Sequence, residues 1–171
     1  MKHKFYFVLC LMVLVSLSAY SQKIKEREYD EFTKSTKITT SKETLYTRYF
    51  LMNIDKRFKF YIRKDGESKY IMFAQILSRD CEKYDESSGI MLLLDNGEIV
   101  SLTTSYTGVS KRDDKQWIFE TSFVLSLQDV ELLKASDIKK ARVTTLDSYY
   151  DTEITENKKS LIKKMLLMLD E

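Results

Sequence analysis

The side chains that could do chemistry in this sequence are tyrosines, carboxylates and cations. Histidine occurs once, at His3, and cysteine twice, at Cys10 and Cys81. His3 and Cys10 both fall in an N-terminal stretch that reads as a removable leader, so the mature chain carries no histidine and one thiol. Ser-His-Asp and Cys-His catalysis are thereby excluded within one chain. So are zinc sites built on histidine or cysteine, short of assembly between chains. Cys81 has no partner for an intramolecular disulfide and reads as a buried, inert thiol, with an intermolecular link as the alternative. The isolated glycines at 66, 89, 97 and 108 form no phosphate-cradling loop, so no nucleotide cofactor is expected.

Four residues form the strongest candidate binding surface: Arg57, Lys59, Tyr61 and Tyr70. The first three alternate along Lys56–Arg63, a period-two pattern that puts them on one face of a strand. A two-residue turn at Asp65-Gly66 would bring Tyr70 and Met72 to the same face and leave Phe58, Phe60, Ile71 and Phe73 on the core side. Alternating cations and aromatics can hold an anionic or sugar-like ligand through charge and stacking. If the C-terminal helix covers that face instead, the tyrosines line the core and the cations snorkel at its rim.

Other constellations read as structural. Asp80, Glu82, Asp85 and Glu86 supply hard oxygen ligands for calcium but lack the glycine and spacing of an EF-hand loop, so the segment reads as solvated and no metal is expected. Asp95 and Glu98 flank a turn, where paired carboxylates can act as acid and base, but both read as exposed. Ser160 and Lys163-Lys164 lie on the polar side of an amphipathic helix and lack the partner motifs of Ser-Lys enzymes. No catalytic residue is assigned.

The elements that position these residues are mostly strands. Gly89–Leu94 and Ile99–Tyr106 flank Asn96-Gly97, a strong hairpin signal. A two-residue turn would set Leu94 against Ile99, Leu93 against Val100 and Met91 against Leu102. The incoming strand is apolar on both faces, which predicts a mid-sheet place covered on both sides. Tyr29–Thr40 reads as one long strand with edge lysines, and Leu45–Met52 as a strand, with a helix as the alternative. Gln116–Leu125 alternates strictly, with Trp117, Phe119, Phe123 and Leu125 on one face. Ser126-Leu-Gln-Asp129 opens a short helix (126–135) with a capping box; Leu127, Val130, Leu132 and Leu133 form its stripe. A second helix over 155–169 carries Leu161, Ile162, Met165, Leu166 and Leu169, and its acidic end should fray. The fold class expected is α+β: a twisted antiparallel sheet of about seven strands with both helices, the C-terminal one packed on one face.

The leader comprises residues 1–21. Lys2, His3 and Lys4 precede the apolar run Phe5–Val15, which is too short to span a bilayer, and Ala19 and Ser21 provide small residues for cleavage before Gln22. Residues 22–171 then form a single domain with no stable membrane insertion. Removing Lys2 and Lys4 from 28 basic residues leaves 26, against 26 acidic. A neutral chain lacks the basic excess of a nucleic-acid binder. The leader ending Ala19-Tyr-Ser-Gln22, the start Tyr29-Asp-Glu-Phe32, Asp95-Asn-Gly-Glu98 and Ser126-Leu-Gln-Asp129 together make the chain similar to small exported proteins of unknown function from Bacteroidetes-type bacteria. The resemblance implies export to the periplasm or cell surface; it carries no catalytic residues to transfer and bears on compartment, not mechanism. The functional expectation is a non-enzymatic binding or interaction protein of the bacterial cell envelope, whose partner is an envelope protein or a glycan. The alternatives are a small carboxylate-dependent glycan hydrolase and a structural subunit of an envelope assembly.

Overall fold

The long hairpin of β4 (Asn53–Asp65) and β5 (Lys69–Ser78) is the spine of the larger of two antiparallel sheets. The computed structural model describes residues 23–50, 53–107, 111–113 and 116–171. The expected leader and its cleavage point lie outside the described residues, as do positions 51 and 52 of the expected 45–52 strand.

Around the spine the chain runs β1 (Ile24–Asp30), β2 (Ser35–Thr40) and β3 (Glu43–Phe50) before it, and β6 (Gly89–Leu94), β7 (Ile99–Thr103), β8 (Tyr106–Thr107), β9 (Lys111–Asp113) and β10 (Gln116–Leu125) after it. Then come α1 (Leu127–Ala135), β11 (Ile138–Thr144), β12 (Tyr149–Glu153), α2 (Glu156–Lys159) and α3 (Leu161–Met168). The larger sheet has eight strands in the order β1-β2-β4-β5-β10-β8, with β3 also on β4 and β9 also on β10. The smaller sheet has four, ordered β12-β11-β6-β7. The class is α+β, as expected. The strands exceed seven and divide between two sheets, because β6 pairs with β11 and β7 and not with β5.

Both sheets and the two longer helices contribute to one apolar core. Phe58, Phe60, Ile62, Met72, Ile76 and Phe123 come from the large sheet, and Ile90, Leu92, Val100 and Val143 from the small one. Leu161, Ile162, Met165, Leu166 and Leu169 are all buried, as the helical stripe predicted. The C-terminal helix is nevertheless two pieces: Ser160 (φ −84°, ψ 6°) leaves the helical region between α2 and α3. The capping box at α1 is present, with the Ser126 hydroxyl accepting from Asp129 N and the Asp129 carboxylate accepting from Ser126 N. Leu127, expected in the buried stripe, is exposed, and Val130 and Leu133 carry the packing.

Turn length decides which side chains point where. The β4–β5 loop holds three residues, Gly66-Glu67-Ser68, closed by Asp65 opposite Lys69, with Gly66 at φ 67°. The β6–β7 loop also holds three, Asp95-Asn96-Gly97. Only Gly97 has positive φ (89°), so a type I′ turn does not form. Leu94 N donates to Glu98 O at 2.9 Å and Gly97 N to Leu94 O at 3.0 Å, which sets Leu92 against Val100 and Ile90 against Leu102. β6 does lie inside its sheet, but only one side is covered. Ile90, Leu92 and Leu94 are buried, while Met91 and Leu93 point outward beside Arg142 and Lys140 of β11. Their long aliphatic stems shield such neighbours from water without closing the face. Tyr29–Thr40 is also not one strand. Asp30 accepts from Phe32 N and Thr33 N and pairs with Lys37, which reverses the chain between β1 and β2. Leu45 and its neighbours form strand β3, in agreement with the strand reading.

Candidate functional site

The three-residue loop moves the β4–β5 register by an odd number of residues from that of a two-residue turn. Because side chains alternate, such a slip flips one strand's faces relative to the other's. Tyr61 therefore sits opposite Phe73, Lys59 opposite Gln75, Arg57 opposite Leu77 and Lys64 opposite Tyr70. Arg57, Lys59 and Tyr61 share the outer face, as expected. Tyr70 does not join them. It turns inward, 3% exposed, and donates its hydroxyl to Asp170 Oδ1 at 2.5 Å. Lys64 and Lys134 grip the same carboxylate at 2.7 and 2.6 Å and lie over the Tyr70 ring. Their hydrogen bonds overcome partial burial and hold the Asp170 carboxyl far below the usual carboxylate range. The acidic C-terminus expected to fray is thus clasped.

Phe73 takes the place Tyr70 was expected to hold. Its ring stacks on Tyr61 at 4.9 Å between centroids and 12° between planes. The Arg63 guanidinium lies 4.9 Å from the Phe73 centroid, so that ring carries both a stacked phenol and a cation. Burial raises the Tyr61 phenol. One row along, β10 completes the face: Ser122 is beside Phe73 and Glu120 beside Gln75. Gln75 Nε2 donates to Glu120 Oε1 at 2.6 Å, and Lys42 Nζ donates to Gln75 Oε1 at 3.0 Å.

Between the aromatic row and this polar row lies a cleft of about 320 Å³, lined by Lys42, Tyr61, Phe73, Gln75, Glu120 and Ser122 among others. That volume is at the lower end for small-molecule sites. The C-terminal helix does not cover the face: α3 packs its buried residues into the core. Phe73 and Gln75 were missed because the loop length was misread; Glu120 and Lys42 are brought in by the β5–β10 pairing and by the turn before β3, long-range placements that no single-strand pattern shows. One signal was available. Gln75 is the polar residue in an otherwise apolar Tyr70–Leu77, and facing it outward puts Phe73 outward and Tyr70 inward.

A second polar cluster lies inside. The Lys56 ammonium contacts the Glu82 carboxylate and Ser78 Oγ (3.1 Å) and sits 4.8 Å from the Tyr150 ring centroid. Tyr84 donates to Glu82 Oε2 at 2.6 Å and Tyr46 to the Tyr150 hydroxyl at 3.3 Å. Burial pushes all three phenols well above their ordinary value. The cluster ties the 79–88 segment to both sheets. The segment is therefore not a uniformly solvated loop: Glu82 turns inward, and Asp85 is occupied by Ser87 and Ser88. Cys81 is exposed, contrary to the buried thiol expected, because its neighbour Glu82 takes the inward position. Asp95 and Glu98 are exposed on their loop, and Asp95 lies 4.0 Å from Lys159.

Among the described residues there is no group of three or more histidine, cysteine, aspartate or glutamate side chains that could hold a metal ion. No described helix is long and apolar enough to cross a membrane. Compared with known proteins, the chain matches no family model, no curated protein and no solved structure.

Proposed function

We propose that the protein is a non-enzymatic exported binding protein of the bacterial cell envelope whose ligand sits on the outer face of the large sheet. The carrying observation is the cleft between the Tyr61–Phe73 stack and the Lys42-Gln75-Glu120 relay, flanked by Arg57, Lys59 and Arg63. Concave sites with an aromatic wall and a few convergent polar groups are where small ligands bind. Export rests on the leader pattern of residues 1–21. Binding is favoured over glycan hydrolysis because, among the described residues, Glu120 is the one carboxylate lining this cleft, whereas hydrolysis needs two carboxyls roughly 5–10 Å apart.

The test is chemical-shift mapping on the isotope-labelled full chain, titrated with fractionated envelope glycans and proteins. The reading expects shifts confined to the outer rows of β4, β5 and β10 and lost in Arg57→Ala/Tyr61→Ala. Shifts that map to another surface, or that survive the double substitution unchanged, would overturn it.

A further inference from the structure

We infer that the ligand of this face is an acidic glycan whose carboxylate or sulfate group is seated by Arg57 and Lys59; the inference rests on the binding reading above. The carrying observation is how the charges along β4 are paired. Side chains alternate, so the outer row of the strand reads Asp55, Arg57, Lys59, Tyr61, Arg63 and Asp65. The carboxylates at its two ends are each held by another cation, Asp55 by Arg48 at 3.4 Å and Asp65 by Arg63 at 2.8 Å. The other two cations of the strand are paired as well, Lys56 with Glu82 and Lys64 with Asp170. Arg57 and Lys59, in the middle, have no ion pair and no side-chain hydrogen bond among the described residues.

Neither lies at a sheet edge. Both are half-buried and stand between β3 and β5. Their neighbours across the two ladders are neutral: Thr47 and Leu77 beside Arg57, Thr44 and Gln75 beside Lys59. A half-buried cation gives up part of its hydration, and here no carboxylate of the chain offsets that loss. An oxyanion from outside would do so. Arg57 offers it a two-pronged fork and Lys59 a point charge two residues along.

Lys42 adds to the positive sign. Its ammonium donates to Gln75 Oε1 at 3.0 Å, so it stands over the residue next to Lys59. Glu120 lies across Gln75 from Lys59, and it is engaged by Gln75 Nε2 at 2.6 Å and by further contacts. Three cations against one carboxylate already engaged make this part of the face attract anions.

The place of the pair favours a sugar chain over a peptide as the carrier of the oxyanion. Extended peptides dock on sheets by adding a strand to an open edge, through main-chain hydrogen bonds. At Arg57 and Lys59 the strand is paired on both sides, so no main-chain group is open to a peptide there. A sugar needs only side-chain partners. Lys42 and Gln75 each keep a donor beyond those they use in the relay, free for its hydroxyls.

The experiment titrates the full chain with a uronic-acid tetrasaccharide and a sulfated tetrasaccharide, each beside its neutral form (the methyl ester or the desulfated sugar), and with an acidic hexapeptide. Binding is read by chemical shift and calorimetry. At least one acidic sugar is expected to shift Arg57 and Lys59, with its neutral form bound about tenfold more weakly or not at all. Its affinity should fall about tenfold in Arg57→Gln and in Lys59→Gln, the size of one lost charge-assisted hydrogen bond, and hold in Lys59→Arg. Which acidic sugar responds separates carboxylate from sulfate. Equal binding of an acidic sugar and its neutral form, or acidic binding that survives both glutamine variants, overturns the inference and leaves the binding face standing. Binding of the hexapeptide with both acidic sugars silent does the same, as does silence of every probe while envelope fractions shift the face. Silence of the probes and of every fraction overturns both.

Discussion

Replacing Lys56 by methionine tests whether the interior polar cluster is a buried charge site. The Lys56 side chain is 9% exposed and that of Glu82 11%. The ammonium is fully engaged by the Glu82 carboxylate, Ser78 Oγ and the Tyr150 ring face. Methionine keeps most of the stem's volume and removes the charge, leaving the Glu82 carboxylate with the Tyr84 hydroxyl beside it. Breaking a buried pair from one side costs about 3–5 kcal/mol, and slight exposure places this one near 3 kcal/mol. At about 2 kcal/mol/M for the denaturant slope, the urea midpoint falls by about 1.5 M. Trp117, the chain's single tryptophan, reports the transition. The double variant Lys56→Met/Glu82→Leu removes both charges and should return to within about 1 kcal/mol of the parent. A Lys56→Met variant less than about 1 kcal/mol below the parent would refute the reasoning, since that is how a solvated surface pair behaves. So would a double variant as unstable as the single one, which would assign the loss to shape and not to charge.

Gly89→Ala should be severe, costing about 3 kcal/mol or preventing folding, because a Cβ there runs into the Leu102 carbonyl and backbone cannot step aside; thermal unfolding measures it. Acid should unfold the protein in a window set by carboxyls held low. Asp30 and Asp151 are drawn down to about 2 by Lys37 and Arg142, and Asp170 lower still. A depressed carboxyl contributes stability that is whole above its unfolded value near 3.8 and lost as pH falls through its folded value. The urea midpoint should therefore drop between about pH 4 and pH 2, and drop less in Asp170→Asn. Ser126→Ala removes the hydroxyl that caps α1 and should cost about 1 kcal/mol, read by urea unfolding.

Much of this fold is legible along the chain because it depends on local pattern. The alternation in Gln116–Leu125 puts Phe119, Phe123 and Leu125 in the core, and the stripe from Leu161 to Leu169 does the same for α3. The capping box at Ser126 and Asp129 involves neighbours three apart and forms as read. The outward set Arg57, Lys59 and Tyr61 needs only the period of one strand. The clasp on Asp170 was beyond such reading, because Lys64, Tyr70 and Lys134 reach it from two strands and a helix.

The sequence by itself determined the class, most core residues and half of the candidate face, all consequences of periodicity within single elements. Tertiary structure alone decided the rest through two loops. Each glycine signal, Asp65-Gly66 and Asn96-Gly97, marks a reversal truly but does not count its residues. In both hairpins the count is three, and the pairing shifts by an odd number from the two-residue register. The physical reason lies in the pleat. A strand's faces are set relative to its own residues by local geometry, but relative to its partner only by pairing, and pairing is chosen by what the whole core can bury. Here the three-residue loop puts Met72, Ala74 and Ile76 in the one apolar core. That choice sent Tyr70 inward to Asp170, turned Phe73 out to Tyr61 and so built the cleft.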